Sequence, residues 1–91
     1  MELEWDETKR QDALAKRGLD FADVVEFGWR EAVIIPYERR DYGEDREVAY
    51  GYLHGRLCVL CYTKRDTRLR VISLRKANQR EVDRYGRQAQ D

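Results

Sequence analysis

Near the end of this chain, RLRVISLRKANQREVDRY (residues 68–85) gathers six cations: Arg68 and Arg70 in a stretch of strand character, Arg75 and Lys76 where it ends, Arg80 and Arg84 in a helical continuation. Glu81 and Tyr85 stand among them. A guanidinium presents a planar fork matched to phosphate oxygens, so two arginines on an exposed strand suit a groove that holds a phosphate backbone. With a carboxylate and a phenol added, the inventory suffices to cleave RNA without a metal. A base takes the 2'-hydroxyl proton, arginines stabilise the dianionic phosphorane, and an acid protonates the leaving 5'-oxygen.

Each residue also has a plainer reading. Glu81 is equally the acid of a capping box begun by Asn78, Tyr85 equally a ring packed on a sheet, and Arg68 equally a rim charge. Arg75 is the best placed for an anion, because it lies where strand gives way to helix and the N–H groups of a helix start add positive potential. Cys58 and Cys61 have the C-x-x-C spacing of a redox pair or half a zinc site, but RLCVLCYT (56–63) reads as a buried strand. Residues three apart on a strand point to opposite faces, so the two sulfurs cannot share a metal. The chain has one histidine, His54, in a predicted hairpin turn, and neither metal nor other cofactor is expected. Trp5 reads as a core anchor, and Tyr62 as either a base-stacking platform or a core residue.

The 18 Lys and Arg balance the 18 Asp and Glu overall, but not locally. Residues 64–91 carry nine cations against four acids, which leaves residues 1–63 with nine against fourteen. Such asymmetry predicts a basic surface for a polyanion. With 91 residues, 42% apolar and in periodic blocks, the sequence describes one folded domain, residues 1–91. The longest uncharged runs, AVIIPY (32–37) and LCVLCYT (57–63), are far shorter than the roughly 20 residues that span a bilayer, and the start, MELEWDE, is acidic. Neither export nor a membrane is expected, and two cysteines make no disulfide framework, so the expected location is cytoplasmic.

The elements that must position these residues are legible. Leu3–Trp5 reads as a short strand, and Asp6 caps a helix through about Arg17 that Gly18 closes. Asp20 caps a second, shorter helix (21–27) ending at Gly28. From Ala32 the period becomes extended, giving strands at 32–37, 46–53, 56–63 and 67–74. Tight turns at His54-Gly55 and Arg65-Asp66 make these antiparallel neighbours, and 38–45 is a longer loop. Asn78 and Glu81 then open a final helix. The expected class is α+β, an antiparallel meander with two N-terminal helices and one C-terminal helix, in the order β-α-α-β-β-β-β-α. The early helices cover one sheet face through Leu14, Leu19, Phe21, Val24, Val25 and Phe27. By alternation, Arg68, Arg70, Ile72 and Leu74 share one face of the last strand, Leu69, Val71, Ser73 and Arg75 the other, and the last helix turns Arg80, Glu81, Arg84 and Tyr85 outward.

WDETKRQDALAKRGLDF (5–21) resembles the opening signature W-D-x-x-K-x-x-x-N-x-x-K-H-G-hydrophobic-x-F of the BrnT ribonuclease toxins, and RLRVISLRKANQREVDRY resembles their closing R-I-R-I-I-S-A-R-K-A-x-x-x-E-x-x-x-Y. GYLHGRLCVLCYT (51–63) is similar to the family's hairpin, G-x-x-x-G-R-L-x-V-V-x-Y-T. The resemblance implies a small RelE-like domain that acts as the toxin of a type II toxin-antitoxin pair, cleaving RNA and inhibiting translation. It implies a BrnA-like antitoxin with a ribbon-helix-helix region, a two-plus-two complex, and DNA contact only through that partner. Catalysis would fall to Arg70, Arg75, Glu81 and Tyr85, with RNA held by Lys16, Arg17, Arg68, Lys76, Arg80 and Arg84. Two positions depart from the signature: Arg17 replaces its histidine and Ala13 its asparagine. If the histidine moves protons, arginine cannot replace it, its pKa exceeding about 12. If it binds phosphate, Arg17 serves. The alternative to a nuclease is therefore a degenerate toxin fold that only binds RNA or antitoxin.

Overall fold

The computed structural model describes residues 2–37 and 45–89. Its elements are β1 (Glu2–Trp5), α1 (Glu7–Arg17), a 3₁₀ helix (Phe21–Glu26), β2 (Val33–Pro36), β3 (Glu47–Leu53), β4 (Arg56–Arg65), β5 (Arg68–Lys76) and α2 (Gln79–Ala89). The class is α+β as expected. The strands form one sheet in the order β1-β5-β4-β3-β2. β2 to β5 make the expected antiparallel meander, but β1 lies parallel to β5, so the sheet is mixed. That pairing sets Leu3 and Trp5 beside Leu69 and Val71 on the apolar face, and Glu2 and Glu4 beside Arg68 and Arg70 on the other. Apart from Asp45, the loop expected at 38–45 lies outside the described residues.

The caps of α1 are as its sequence dictates. Asp6 Oδ1 accepts from the Lys9 N–H at 3.1 Å, and Gly18, at φ 69°, returns its N–H to the Leu14 carbonyl. The second expected helix is instead 3₁₀, so one α-helix, not two, precedes the meander. The reason lies in spacing: Phe21, Val24 and Phe27 are all buried, three residues apart, and three is the period of a 3₁₀ helix. Val25, which an α-helical stripe would bury, is left 68% exposed, and Leu14 on α1 is 42% exposed. Only the small Ala13 of α1 is fully buried. Arg10 ties the two segments together, its guanidinium donating to both carboxylate oxygens of Asp20 at 2.8 and 3.1 Å.

The core fills the sheet face beneath the 3₁₀ helix, where Phe21, Val24 and Phe27 meet Ala49, Leu60, Tyr62, Leu69, Val71 and Leu74. Tyr62 belongs wholly to it, its hydroxyl donating to Glu47 Oε1 at 2.9 Å, so it offers no platform to a base. Trp5 packs against the same core and bonds Glu7 through Nε1. Two hairpins order the meander. His54 and Gly55 take positive φ as a two-residue turn requires, and the second turn sits on Asp66 and Thr67, Arg65 closing β4.

One irregularity governs the rest. Across β4 and β5, Cys61 opposes Ser73 and Tyr62 opposes Val71, so Ile72 is an extra residue, a β-bulge. Strict alternation gave β5 two mixed faces. With the bulge, Leu69, Val71 and Leu74 all enter the core, while Arg68, Arg70, Ser73 and Arg75 share the opposite face.

Candidate nucleic-acid interface

Among the described residues that opposite face is only partly covered. α2 packs across β3, β2 and β4 with Tyr85 stacked on Tyr50, ring centroids 4.0 Å apart. Beside it a groove of about 490 Å³ stays open, lined by Ile35, Val48, Val59 and Ile72 together with Tyr37, Tyr50, Arg46, Cys61, Ser73 and Arg75. A shallower depression of about 330 Å³ shares Arg46, Ile72 and Ser73 with it and adds Lys9, Asp12 and Arg17 from α1. The two adjoin across these three shared residues. Cys58 lies in the core and Cys61 in this groove, on opposite faces as their spacing predicts.

Arg75 is the groove's best-defined cation. Its Nη1 and Nη2 donate to the two carboxylate oxygens of Glu81, both at 2.9 Å, and Nη1 also leans on the Lys76 carbonyl at 3.4 Å. Nε–H and one Nη2–H make no hydrogen bond among the described residues, which leaves an edge of the fork for an anion. Arg75 is the last residue but one of β5, and α2 begins at Gln79, so it stands at the strand-to-helix junction as expected. Glu81 closes the capping box as well, accepting from the Asn78 N–H while its own N–H donates to Asn78 Oδ1. The Arg75 hydrogen bonds, more than burial opposes them, hold its carboxyl below the usual range. The helix start thus already has its anion, and that anion is Glu81.

Tyr50 completes the cluster. Burial first, then neighbouring Tyr85 and Glu81, push its phenol up, with Arg75 pulling the other way. It stays protonated at neutral pH. Burial likewise raises the Cys61 thiol, with Arg46 and Lys9 pulling the other way.

The expected residues divide by position. Arg75, Glu81 and Tyr85 come together; Glu81 and Tyr85 turn toward the sheet rather than outward, while Arg80 and Arg84 are exposed, Arg84 lying over the Tyr85 ring. Arg17 lines the shallower end, and Lys16, not itself in the lining, pairs at 3.1 Å with Asp12, which is. Arg68 and Arg70 stand beside Glu2 and Glu4, at 3.3 and 3.8 Å, and line neither depression; Lys76 is exposed outside them too. His54 sits in its turn against Glu26. Tyr50, Lys9 and Arg46 were not anticipated. Lys9 had a signal, as the lysine of W-D-x-x-K, and Tyr50 shares a strand face with Val48 and Tyr52. No three His, Cys, Asp or Glu side chains converge among the described residues.

The sequence was compared with known proteins. A family model described as "Ribonuclease toxin, BrnT, of type II toxin-antitoxin system" matches residues 5–81. No curated protein matches the chain.

Proposed function

The chain belongs to the BrnT family of ribonuclease toxins of type II toxin-antitoxin systems, and from that premise we propose that it cleaves RNA, without a metal, in the groove on its open sheet face and thereby inhibits translation. The observation that carries this reading is Arg75, presented into an apolar groove with one edge of its guanidinium unengaged and the other clamped by Glu81. A cation so fixed pays little reorganisation when phosphate charge develops, which is where catalysis by electrostatic stabilisation gains most.

In this mechanism Arg75 binds the scissile phosphate and stabilises the dianionic phosphorane as the 2'-oxygen attacks. Tyr50, held protonated, with Tyr85 stacked on it, donates to the leaving 5'-oxygen. Glu81 is a positioning residue, because Arg75 and Asn78 already engage its carboxylate. The 2'-hydroxyl proton passes to solvent. Lys9 and Arg17 hold the strand further along, and Arg68 and Arg70 serve the β1–β5 pairing.

A type II system pairs its toxin with a protein antitoxin. We assign it a ribbon-helix-helix antitoxin that masks the basic groove with acidic side chains, in a two-plus-two complex that alone contacts DNA, and place the fold in the RelE-like group and the protein in the cytoplasm. The test is to incubate antitoxin-free protein with end-labelled RNA in EDTA, beside Arg75→Ala and Tyr50→Phe. Cleavage by the parent chain alone, leaving 2',3'-cyclic phosphate ends, is the expected result. Arg17 and Ala13 favour one competing reading, a fold that binds but no longer cuts: Ala13, in the family's asparagine position, is a buried packing residue. RNA bound but left intact would establish that reading instead.

A further inference from the structure

We propose that the groove seats the base of one unpaired nucleotide on its aliphatic lining, so that the protein takes single-stranded RNA and rejects duplex. The proposal rests on the assignment of this groove to RNA and goes beyond it in naming the strand state and the part of the nucleotide that is read. It arises from a mismatch between the lining and a phosphate track. A surface that follows backbone phosphates needs cations and hydroxyls, and Arg46, Arg75, Tyr37, Tyr50 and Ser73 supply some, yet much of the same lining is Ile35, Val48, Val59 and Ile72, side chains with nothing to offer a phosphate. Ile35, Val48 and Ile72 are half-buried and Val59 is buried beneath them, and among the described residues no element covers this part of the sheet face beyond α2.

Charge then selects the occupant. Arg75 stands on the aliphatic part, and Lys9 and Arg17 stand on the adjoining depression, which shares Arg46, Ile72 and Ser73 with it and whose one carboxylate, Asp12, is paired with Lys16. Neither Lys9 nor Arg17 is ion-paired among the described residues. A cation, an apolar recess with a tyrosine ring, and further cations repeat the phosphate, base, phosphate order of a strand whose base has left its stack. The recess of about 490 Å³ lies within the size class of small-ligand sites. A duplex does not fit, since its bases are stacked with their faces covered and only edges and backbone reach the surface, and extracting one costs unstacking. Apolar packing and ring contact accept any base, so the recess reads exposure of a base more than its identity.

The experiment measures binding, by fluorescence anisotropy of the full chain without antitoxin, to three labelled probes: an unstructured RNA strand, the same strand annealed to its complement, and the strand with consecutive abasic nucleotides. Expected is a loss of about tenfold from strand to abasic strand, the size of one seated base, and a loss at least as large for the duplex. A groove-filling Val59→Trp variant should bind the intact strand no better than the abasic one. If it does not fold, the abasic comparison on the parent chain still decides. Equal affinity for all three probes, or equal displacement of RNA by poly-glutamate and by abasic strand with no added grip on the intact strand, would overturn the proposal. The groove would then read charge alone, as a site for an acidic protein segment does. Binding is scored apart from cleavage: a preference for the unpaired strand without any cutting sinks the nuclease assignment and leaves the base recess standing.

Discussion

Glu81 shows how one side chain is drawn into two structural tasks before it can serve in chemistry. It caps α2 through Asn78 and clamps Arg75. Glu81→Gln separates these, because glutamine keeps the capping hydrogen bonds but loses the charge. Its folded-state carboxyl lies below the ordinary value of 4.5, so its contribution to stability is fully present above that value and is lost as pH falls through the lower, folded one. Urea denaturation should therefore show Glu81→Gln less stable by about 1 kcal/mol at pH near 7, with the difference closing toward pH near 3. In cleavage assays the same variant should lose kcat more than it raises KM, and its rate-against-pH profile should keep the parent's shape. A profile that loses its acid limb would make Glu81 the base. At Gly51 packing alone decides: an added Cβ would stand 2.6 Å from two Phe27 ring atoms, and Phe27 is itself edge-packed on Trp29. Gly51→Ala should cost about 1–3 kcal/mol in the same denaturation measurement, the range of an overpacked core.

Among the elements, the β5 bulge explains both what the sequence disclosed and what it withheld. Caps, turns and strands were legible because local chemistry sets them: Asp6 and Gly18 bound α1, His54-Gly55 turns a hairpin, and Asn78 with Glu81 opens α2. The bulge was not, since an extra residue is visible only against the partner strand. Alternation therefore put Arg75 on the face opposite Arg68 and Arg70, whereas Ile72 brings all three to one face. The 3₁₀ helix was hidden for a related reason: Phe21, Val24 and Phe27 fit period three only once the core is known to take all of them. Of the site, Arg75, Glu81 and Tyr85 were legible as one motif, while Tyr50, Lys9 and Arg46 join them through sheet order alone. Deleting Ile72 removes the extra residue itself, so plain alternation then keeps Leu69, Val71 and Leu74 in the core and Arg70, Ser73 and Arg75 on the opposite face. The deletion should therefore leave a cooperative melting transition by circular dichroism, its cost well below a small domain's total of about 5–15 kcal/mol, while the groove loses one aliphatic wall. The same deletion placed at Val71 instead should abolish the transition, because it takes a side chain out of the core.

At the scale of the whole molecule, the opposed charges of the two chain regions are partly spent on folding. The parallel register sets acidic β1 against basic β5, so that Glu2 meets Arg68 and Glu4 meets Arg70. What remains for a polyanion is smaller than the sequence suggests, chiefly Arg75, Lys9 and Arg17 along the two depressions. Salt dependence counts such contacts, because each phosphate neutralised on a single strand releases condensed counterions and adds roughly −0.7 to the slope of log K against log salt. About three contacts predict a slope near −2 for the parent chain. Arg17→Ala should make it shallower by about 0.7, and Arg68→Ala should leave it unchanged, its guanidinium being engaged by Glu2. Titrations of one RNA strand across a salt series read all three values. If Arg68→Ala flattens the slope and Arg17→Ala does not, the strand runs along the β1–β5 edge instead, and the substitution of arginine for the family's histidine has no part in holding RNA.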